Sequence, residues 1–476
     1  MRVLIAPDKF KGSLTAAEAA EAMERGVKRA LPRAQCTTIP VSDGGEGLIE
    51  VALSTSRHRC SGGGHATDSN DADRSDHGND DALAGHDGGS DSYPDYGAEL
   101  RVTRVRGPLG DDHDARWVLM KSSDPSGSHA SRMDKFTEHS GGREEDEDHG
   151  PIAVIEMAEA SGLAWITPGP DASLRADSYG TGQLIRAAMD TGATTIICGI
   201  GGSACTDGGS GALRALGVRV LDADGHDVAP GGKGLCHART IDTSNLIPSL
   251  RLHHSDSDPY RSHSARPPRS HCDHRVHIII ATDVSNPLLG TDGAAAVYAP
   301  QKGAGPEEIG TLEKGLSQWA GCLSSYLNAA FDPTNEGMGA AGGFASGLTA
   351  LCSAVIVPGF DAVAQLNGFD DALEAGADLL IVGEGSLDKQ TLSGKVPVAA
   401  ARRAGAHGIP AVAVAGAVNV HKDELADAGI ADVIGLAEVS DRAGDTDDTI
   451  QHATEYVERA TEKLVRRFEA AEIPPA

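Results

Sequence analysis

A chain of 476 residues is too long for one ordinary core, so two domains are expected. Hydrophobic residues make up 40% but aromatics only 4%, which points to aliphatic, alanine-rich cores between helices and parallel strands and away from a β-sandwich. A formal net charge of −28 excludes non-specific binding to nucleic acid or anionic membrane, both of which need basic surface, while leaving room for an anionic substrate held by local lysines.

In chain order, "RVLIAP" reads as a strand that enters a charged turn and then the helix "TAAEAAEAMERGVKRAL". Thr15 and Glu18 form a capping box there, Ala19, Met23, Val27 and Ala30 mark the buried face, and Pro32 stops the helix. "CTTIPV" is the next strand, leading through "SDGGEG" into a helical "LIEVAL". Further strands are expected at "IAVIEM", "TTIICG", "HIIIAT", "ADLLIVG", "AVAVAG" and "DVIGLA", and a last helix from about Thr449 to Ala470. Aliphatic strands alternating with amphipathic helices define an α/β protein with mainly parallel pairing.

Three stretches, 54–96, 122–150 and 252–275, are rich in Ser, Gly, Asp and His and too poor in apolar residues to offset the entropy of ordering, so they read as surface insertions. They hold 12 of the 19 histidines, but without regular ligand spacing, so metal binding is not assigned to them. The eight cysteines include no C-x-x-C pair and read as reduced thiols. The opening apolar run is too short for a signal peptide, and no stretch approaches the ~18 apolar residues of a membrane span. A cytoplasmic location is expected.

Polar residues gather where strands end. The clusters are Asp8-Lys9-Phe10-Lys11-Gly12-Ser13, Ser42-Asp43-Gly44-Gly45-Glu46-Gly47, the glycine-rich "GIGGSACTDGGSG" of residues 199–211, Thr282-Asp283-Val284-Ser285-Asn286-Pro287, and Gly383 to Gln390. Parallel sheets bind ligands outside the carboxyl ends of their strands, so five such clusters predict one shared crevice. Lys9 and Lys11 beside a helix start suit a phosphate, and Lys395 can reach one from another helix start. It is not a Walker A lysine, since Val396 stands where the metal-binding hydroxyl belongs. Asp43, Glu46, Asp283, Glu384 and Asp388 crowd negative charge into the same crevice, which calls for a cation, and oxygen ligands beside phosphates favour Mg²⁺.

The 199–211 stretch admits two readings. Gly199 to Ala204 fits the dinucleotide fingerprint G-x-G-x-x-A after a strand, with Asp222 about 20 residues on. Against this, Gly208, Gly209 and Gly211 fall where the fingerprint's helix belongs, and each glycine costs a helix about 1 kcal/mol relative to alanine. A loop to Asp207 or Gly209 followed by a short helix "GALRAL" is more economical. Such a loop offers N–H groups to an anion with the Asp207 carboxylate beside them, which suits removal of a hydroxyl proton during phosphoryl transfer.

Together "APDKFKGSLTAAEAA", "SDGGEG", "GIGGSACTDGGSGALRALG", "DVSNPLLGTDGAAAVYAPQKGA", "GMGAAGGFASGL" and "GEGSLDKQTLSGKVP" resemble the first class of glycerate kinases, the bacterial glycerate 2-kinase type, over everything but the three insertions. One departure is Cys205-Thr206, where that family more often has Thr-Asn. The resemblance implies a flavodoxin-like parallel-sheet domain (1–96 and 283–476) with a second α/β domain (97–282) inserted, and ATP-dependent phosphorylation of D-glycerate in the cleft between them, on the 2-hydroxyl rather than the 3-hydroxyl. Asp207 is the expected base with Asp283 as the alternative, and Lys9 and Lys11 assist. Asp8, Ser13, Asp43, Gly44, Gly45, Glu46, Gly201, Gly202, Ser203, Gly208, Gly209, Glu384, Asp388, Gln390 and Lys395 are expected to bind glycerate or ATP, with Asp43, Glu384 and Asp388 holding Mg²⁺. No nucleic-acid or membrane partner is expected, and a homodimer is the assembly in view. The competing readings are a nicotinamide-dependent oxidoreductase and a non-catalytic organic-acid-binding protein.

Overall fold

The computed structural model describes residues 1–57, 96–122, 150–251, 275–392, 394–442 and 446–470. Nearly all of the three insertion stretches lies outside the described residues. The strands, in chain order, are β1 (Arg2–Pro7), β2 (Gln35–Thr38), β3 (Tyr96–Arg106), β4 (Asp112–Ser122), β5 (Ile152–Glu156), β6 (Thr195–Gly199), β7 (Arg219–Leu221), β8 (Thr240–Asp242), β9 (His277–Ala281), β10 (Val355–Val357), β11 (Leu379–Leu387), β12 (Ala411–Val418) and β13 (Ile430–Gly435).

They form two main sheets. The first runs β2-β1-β11-β12-β13 and is parallel throughout. The second runs β3-β4-β5-β6-β9-β10, parallel from β5 to β10, with β4 antiparallel to both β3 and β5. β7 and β8 make a small antiparallel ribbon. This is an α/β protein with one parallel and one mixed sheet, consistent with two α/β domains.

Period-two alternation sorts the core into three layers. Val3 and Ile5 of β1 face one side, where they pack with Met23, Val27, Val457 and Leu464 from the helices Ala16–Ala30 and Ala453–Glu469. Leu4 and Ala6 face the other side, into a layer containing the helices Leu48–Arg57, Gly359–Asn367 and Val396–Ala406. Val154, Ile197 and Ile279 of the second sheet enter that same layer, so one set of helices serves both sheets. The far face of the second sheet, with Ile155, Ile196 and Ile280, is covered by Tyr179–Asp190, Pro306–Leu327 and Ala340–Cys352 around the buried Trp319 and Phe344.

The capping box forms as expected: Glu18 N–H donates to Thr15 Oγ1 at 3.2 Å and Thr15 N–H to Glu18 Oε2 at 2.9 Å, an arrangement that stabilises a helix start by about 1 kcal/mol. Two expectations need correction, and one element is new. The second sheet does not end at residue 282. β10 pairs with β9, and the helices Pro306–Leu327 and Ala340–Cys352 belong to its core, so it extends to about residue 357. The last helix is two, Thr446–Gln451 and Ala453–Glu469, separated at His452. The β3–β4 hairpin was not anticipated, because "ELRVTRVRG" and "DHDARWVLM" alternate charged and apolar residues where continuous aliphatic runs were sought.

Candidate active site

β1 and β11 are neighbours whose chains depart in opposite directions, β1 toward β2 and β11 toward β12. That divergence opens a crevice beyond their carboxyl ends. Pro7 pairs with Gly383, Asp8 N–H donates to Gly383 O at 2.8 Å, and Asp8 and Glu384 therefore emerge side by side.

The "SDGGEG" loop crosses from this crevice to the second sheet. Gly44 has φ of +74°, and a Cβ there would lie 2.6 Å from Gly359 Cα and 3.0 Å from Ala281 Cβ. Only glycine permits so close a backbone approach. Within the loop, Asp43 Oδ1 accepts from Gly45 N–H at 3.0 Å, and Lys9 Nζ donates to Glu46 O at 2.5 Å. From the second sheet, Glu156 Oε1 accepts from Gly47 N–H at 3.0 Å and Ile49 N–H at 2.8 Å, capping the helix Leu48–Arg57.

The result is a cleft of about 750 Å³ whose wall includes Asp43, Gly45, Gly201, Thr282, Asp283, Asn286, Gln390 and Lys395. Four of the five predicted clusters meet there, and Asp8 and Lys9 adjoin it through Asp43. Asp283 Oδ1 accepts from Gly359 N–H at 2.8 Å, and no hydrogen bond to a described residue occupies Oδ2. Its side chain is open to the cleft, yet desolvation by the walls pushes its pKa up to about 6. The charges of Asp43 and Asp361 add to the rise, while the Gly359 N–H and Lys395 oppose it.

Burial pushes Asp8 up to about 7, against the pull of Lys9 and with help from Asp43 and Glu384. Glu384 is raised by burial too, with Lys395 opposing, and its Oε2 accepts from Thr391 Oγ1 at 3.1 Å. Burial disfavours the Lys9 ammonium, but Asp8, Asp43, Glu46 and Glu156 outweigh it and raise its pKa. A crowd of hard oxygen donors with too little positive charge around it suits a Mg²⁺ ion that takes one or two carboxylates and completes its shell with phosphate and water. It is not a ready-made cage. Among the described residues, the group whose three ligand atoms lie within 4.8 Å of one another is Asp222, Asp224 and His226, an exposed turn.

Beyond Gly201, the glycine-rich stretch goes elsewhere. Asp207 is completely buried and is not in the cleft wall, which corrects its expected place. Its Oδ2 accepts from Ser178 N–H at 3.0 Å, Ser178 Oγ at 2.9 Å and Gly211 N–H at 2.9 Å, and its Oδ1 from Gly209 N–H at 3.1 Å. Gly208, at φ +62°, packs on Trp319, whose Nε1 donates to Gly208 O at 3.0 Å. Gly209 abuts Phe344 O and Ser203 is buried, and none of these three is in the cleft wall. Gly202 is exposed in a turn, and Gly201 alone of the stretch reaches the cleft. The loop runs to Gly209 and the short helix Ser210–Ala215 follows, while Asp222 sits in the exposed β7–β8 turn accepting from Asp224 and His226 N–H. The dinucleotide fingerprint therefore lacks its helix and its ribose partner.

Of the remaining expected residues, Lys11 is exposed and outside the cleft wall. Ser13 Oγ bonds back to Phe10 O at 3.0 Å. Asp388 Oδ1 caps the turn Lys389–Leu392 through Gln390 N–H at 2.8 Å and Thr391 N–H at 3.3 Å.

Two residues escaped the sequence reading. Glu156 ends an aliphatic strand, the same signal that exposed Asp8, and burial pushes its pKa up to about 7. Lys302, in "YAPQKGA", is fully buried under the glycine-rich loop, donating to Cys205 O at 2.5 Å with Ser203 Oγ and Thr206 Oγ1 each at 3.4 Å. Burial lowers its pKa, with Cys205 and Asp207 opposing.

Two sheets joined at a cleft that sets lysines among carboxylates define a class of α/β protein suited to anionic ligands. The chain belongs to the glycerate kinase family, whose model matches residues 3–71, 84–256 and 262–469, and with that membership goes glycerate kinase activity, a phosphotransferase reaction. It is 33% identical to a glycerate kinase of Bacillus subtilis, covering 99% of this chain and 98% of that one. It is 32% identical to the glycerate 2-kinase of Escherichia coli K12, covering 88% and 86%. A crystal structure from Salmonella typhimurium LT2, provisionally named glycerate kinase 2, superposes with a TM-score of 0.71 at 31% identity over 99% of both chains.

Proposed function

We propose that the cleft transfers the γ-phosphoryl group of ATP to a hydroxyl of D-glycerate, with Asp283 as general base. The observation that carries this reading is Asp283 itself, at the cleft wall with one oxygen held by Gly359 N–H and the other free. That oxygen takes the hydroxyl proton as the glycerate oxygen bonds to phosphorus and the bond to the ADP oxygen breaks. Lys395 on the same wall, with Lys9 behind the "SDGGEG" loop, offsets the negative charge of phosphate and glycerate carboxylate. Asp43, Glu384 and the neighbouring Asp8 would hold Mg²⁺, and Asp388 is left to its capping role. Bound there, Mg²⁺ would neutralise charge on the phosphate oxygens. Asp207 acts as a structural carboxylate in this reading.

The β2-β1-β11-β12-β13 order matches a flavodoxin-like sheet, whose ligand crevice lies where the order reverses, and this supports placing phosphate beside Asp8 and Lys9. The 2-hydroxyl is the acceptor we propose, after the printed name of the Escherichia coli relative. Every residue invoked comes from one chain.

The test is ADP release with D-glycerate across a magnesium titration, followed by phosphorus NMR of the product. ADP release that depends on glycerate and magnesium supports the reading. A phosphorus signal from the 3-phosphate would overturn the choice of hydroxyl, and full activity of Asp283→Asn would overturn the base.

A further inference from the structure

The second sheet ends in β3, a strand of 11 residues, and among the described residues nothing pairs with its outer edge. Long open edges invite another strand unless charge or a bulge blunts them. On the face of β3 shared with the helix Leu48–Arg57, Leu100 is 45% and Val102 60% exposed, with half-buried Ala98 beside them. The opposite face carries Glu99 and Arg101, which form an ion pair of 2.6 Å within the chain. These charges look like edge protection, but their spacing makes the edge complementary to itself.

We propose that β3 pairs antiparallel with β3 of a second copy of this chain, about a two-fold axis at Leu100. In antiparallel pairing, residues opposite one another share a face. The axis at Leu100 sets Leu100 against Leu100, Ala98 against Val102, and Glu99 of each copy against Arg101 of the other. Thr103 meets Gly97. Six apolar side chains then form one strip, and both charge pairs are opposite in sign. Moving the axis by one residue sets Glu99 against Glu99 or Arg101 against Arg101, which repel, so the charges select the register. An isologous contact of this kind closes on itself and joins two six-stranded sheets without leaving the edge free. None of these side chains is in the cleft wall, so the pairing is independent of the reaction.

Sedimentation velocity of the full chain at ~150 mM salt tests this, since weaker screening would exaggerate repulsion between two acidic copies. The wild type is expected to be a dimer. Arg101→Glu sets glutamates against each other and is expected to weaken the dimer at least tenfold, as is Val102→Lys. The double exchange Glu99→Arg with Arg101→Glu restores opposite charges and is expected to restore the dimer, which a merely damaged fold would not do. Glycerate-dependent ADP release should be unchanged in all three. A wild type that stays monomeric to about 100 µM, weaker than a specific interface would be, overturns the proposal. So does a dimer that survives both Arg101→Glu and Val102→Lys, or a double exchange that stays monomeric.

Discussion

The loops after β6 and β9 leave adjacent parallel strands of one sheet, and each carries an aspartate a few residues on. Asp207, after β6, is closed off: it is fully buried, three donors hold its Oδ2 and one its Oδ1, Trp319 and Phe344 press on the glycines behind it, and Lys302 lies beneath the chain. Asp283, after β9, is open: one donor holds one oxygen and the cleft takes the other. Both are fixed by backbone N–H groups. What separates them is access: Asp207 is buried with a donor on each oxygen, whereas Asp283 turns an oxygen that has no described donor toward the cleft, where a substrate proton can reach it. Glycine density by itself does not mark the cleft-facing loop, since close packing of backbone against helices needs glycine as much as a phosphate does.

The largest effect expected from this contrast is at the open site. Asp283→Asn should keep the fold but lower kcat by roughly 10²–10⁴, about 3–5 kcal/mol of barrier, with KM little changed. Steady-state ADP release beside a thermal melt checks it. A loss of under about threefold, far below that range, would return the base to another group.

At the closed site the loss should fall on stability instead. Asp207→Asn turns an amide toward donors that had faced a carboxylate oxygen, leaving buried groups unpaired at a cost of about 3 kcal/mol. Urea unfolding should show that drop, while kcat of the folded fraction stays within a few-fold of the parent. A large fall in kcat at full stability would erase the distinction between the two loops.

Changing pH sets stability against turnover without mutation. Asp8 and Glu156, buried and raised to about 7, keep protons in the folded state that the unfolded chain releases near pH 4. Folded protein binds more protons across that window, so stability should fall as pH rises from about 4 to 7 and then level off. Over the same window Asp283 deprotonates near 6, so kcat should rise while stability falls. Urea midpoints and kcat measured from pH 5 to 8 test the opposition, and Asp283→Asn should flatten the rise in kcat. A kcat that is level from pH 5 to 8 in the wild type would contradict the base assignment.

The smallest effect is expected at Asp388. Asparagine caps a helix about as well as aspartate, so Asp388→Asn should change stability by only a few tenths of a kcal/mol and leave the magnesium dependence alone. A shifted magnesium requirement would bring Asp388 into the metal site after all.

The sequence by itself determined the α/β class, the strand ends that carry polar residues and the family. Aliphatic runs such as "TTIICG" can only be buried on both faces, and clusters like Asp8-Lys9 or Thr282-Asp283 follow such runs directly. The capping box at Thr15 and the loop running to Gly209 were legible for the same reason, because local backbone chemistry settles them. Only the tertiary structure decided which polar residues face the cleft. Asp207 and Asp283 read alike along the chain, and the difference lies in Ser178 and Gly359, which sequence separation hides. The same distance concealed Lys302 beneath Cys205, Glu156 beneath Gly47, and the return of residues 294–357 to the second sheet. Contacts between segments tens to hundreds of residues apart depend on how layers stack, and hydrophobic period shows that a face is buried without showing what covers it.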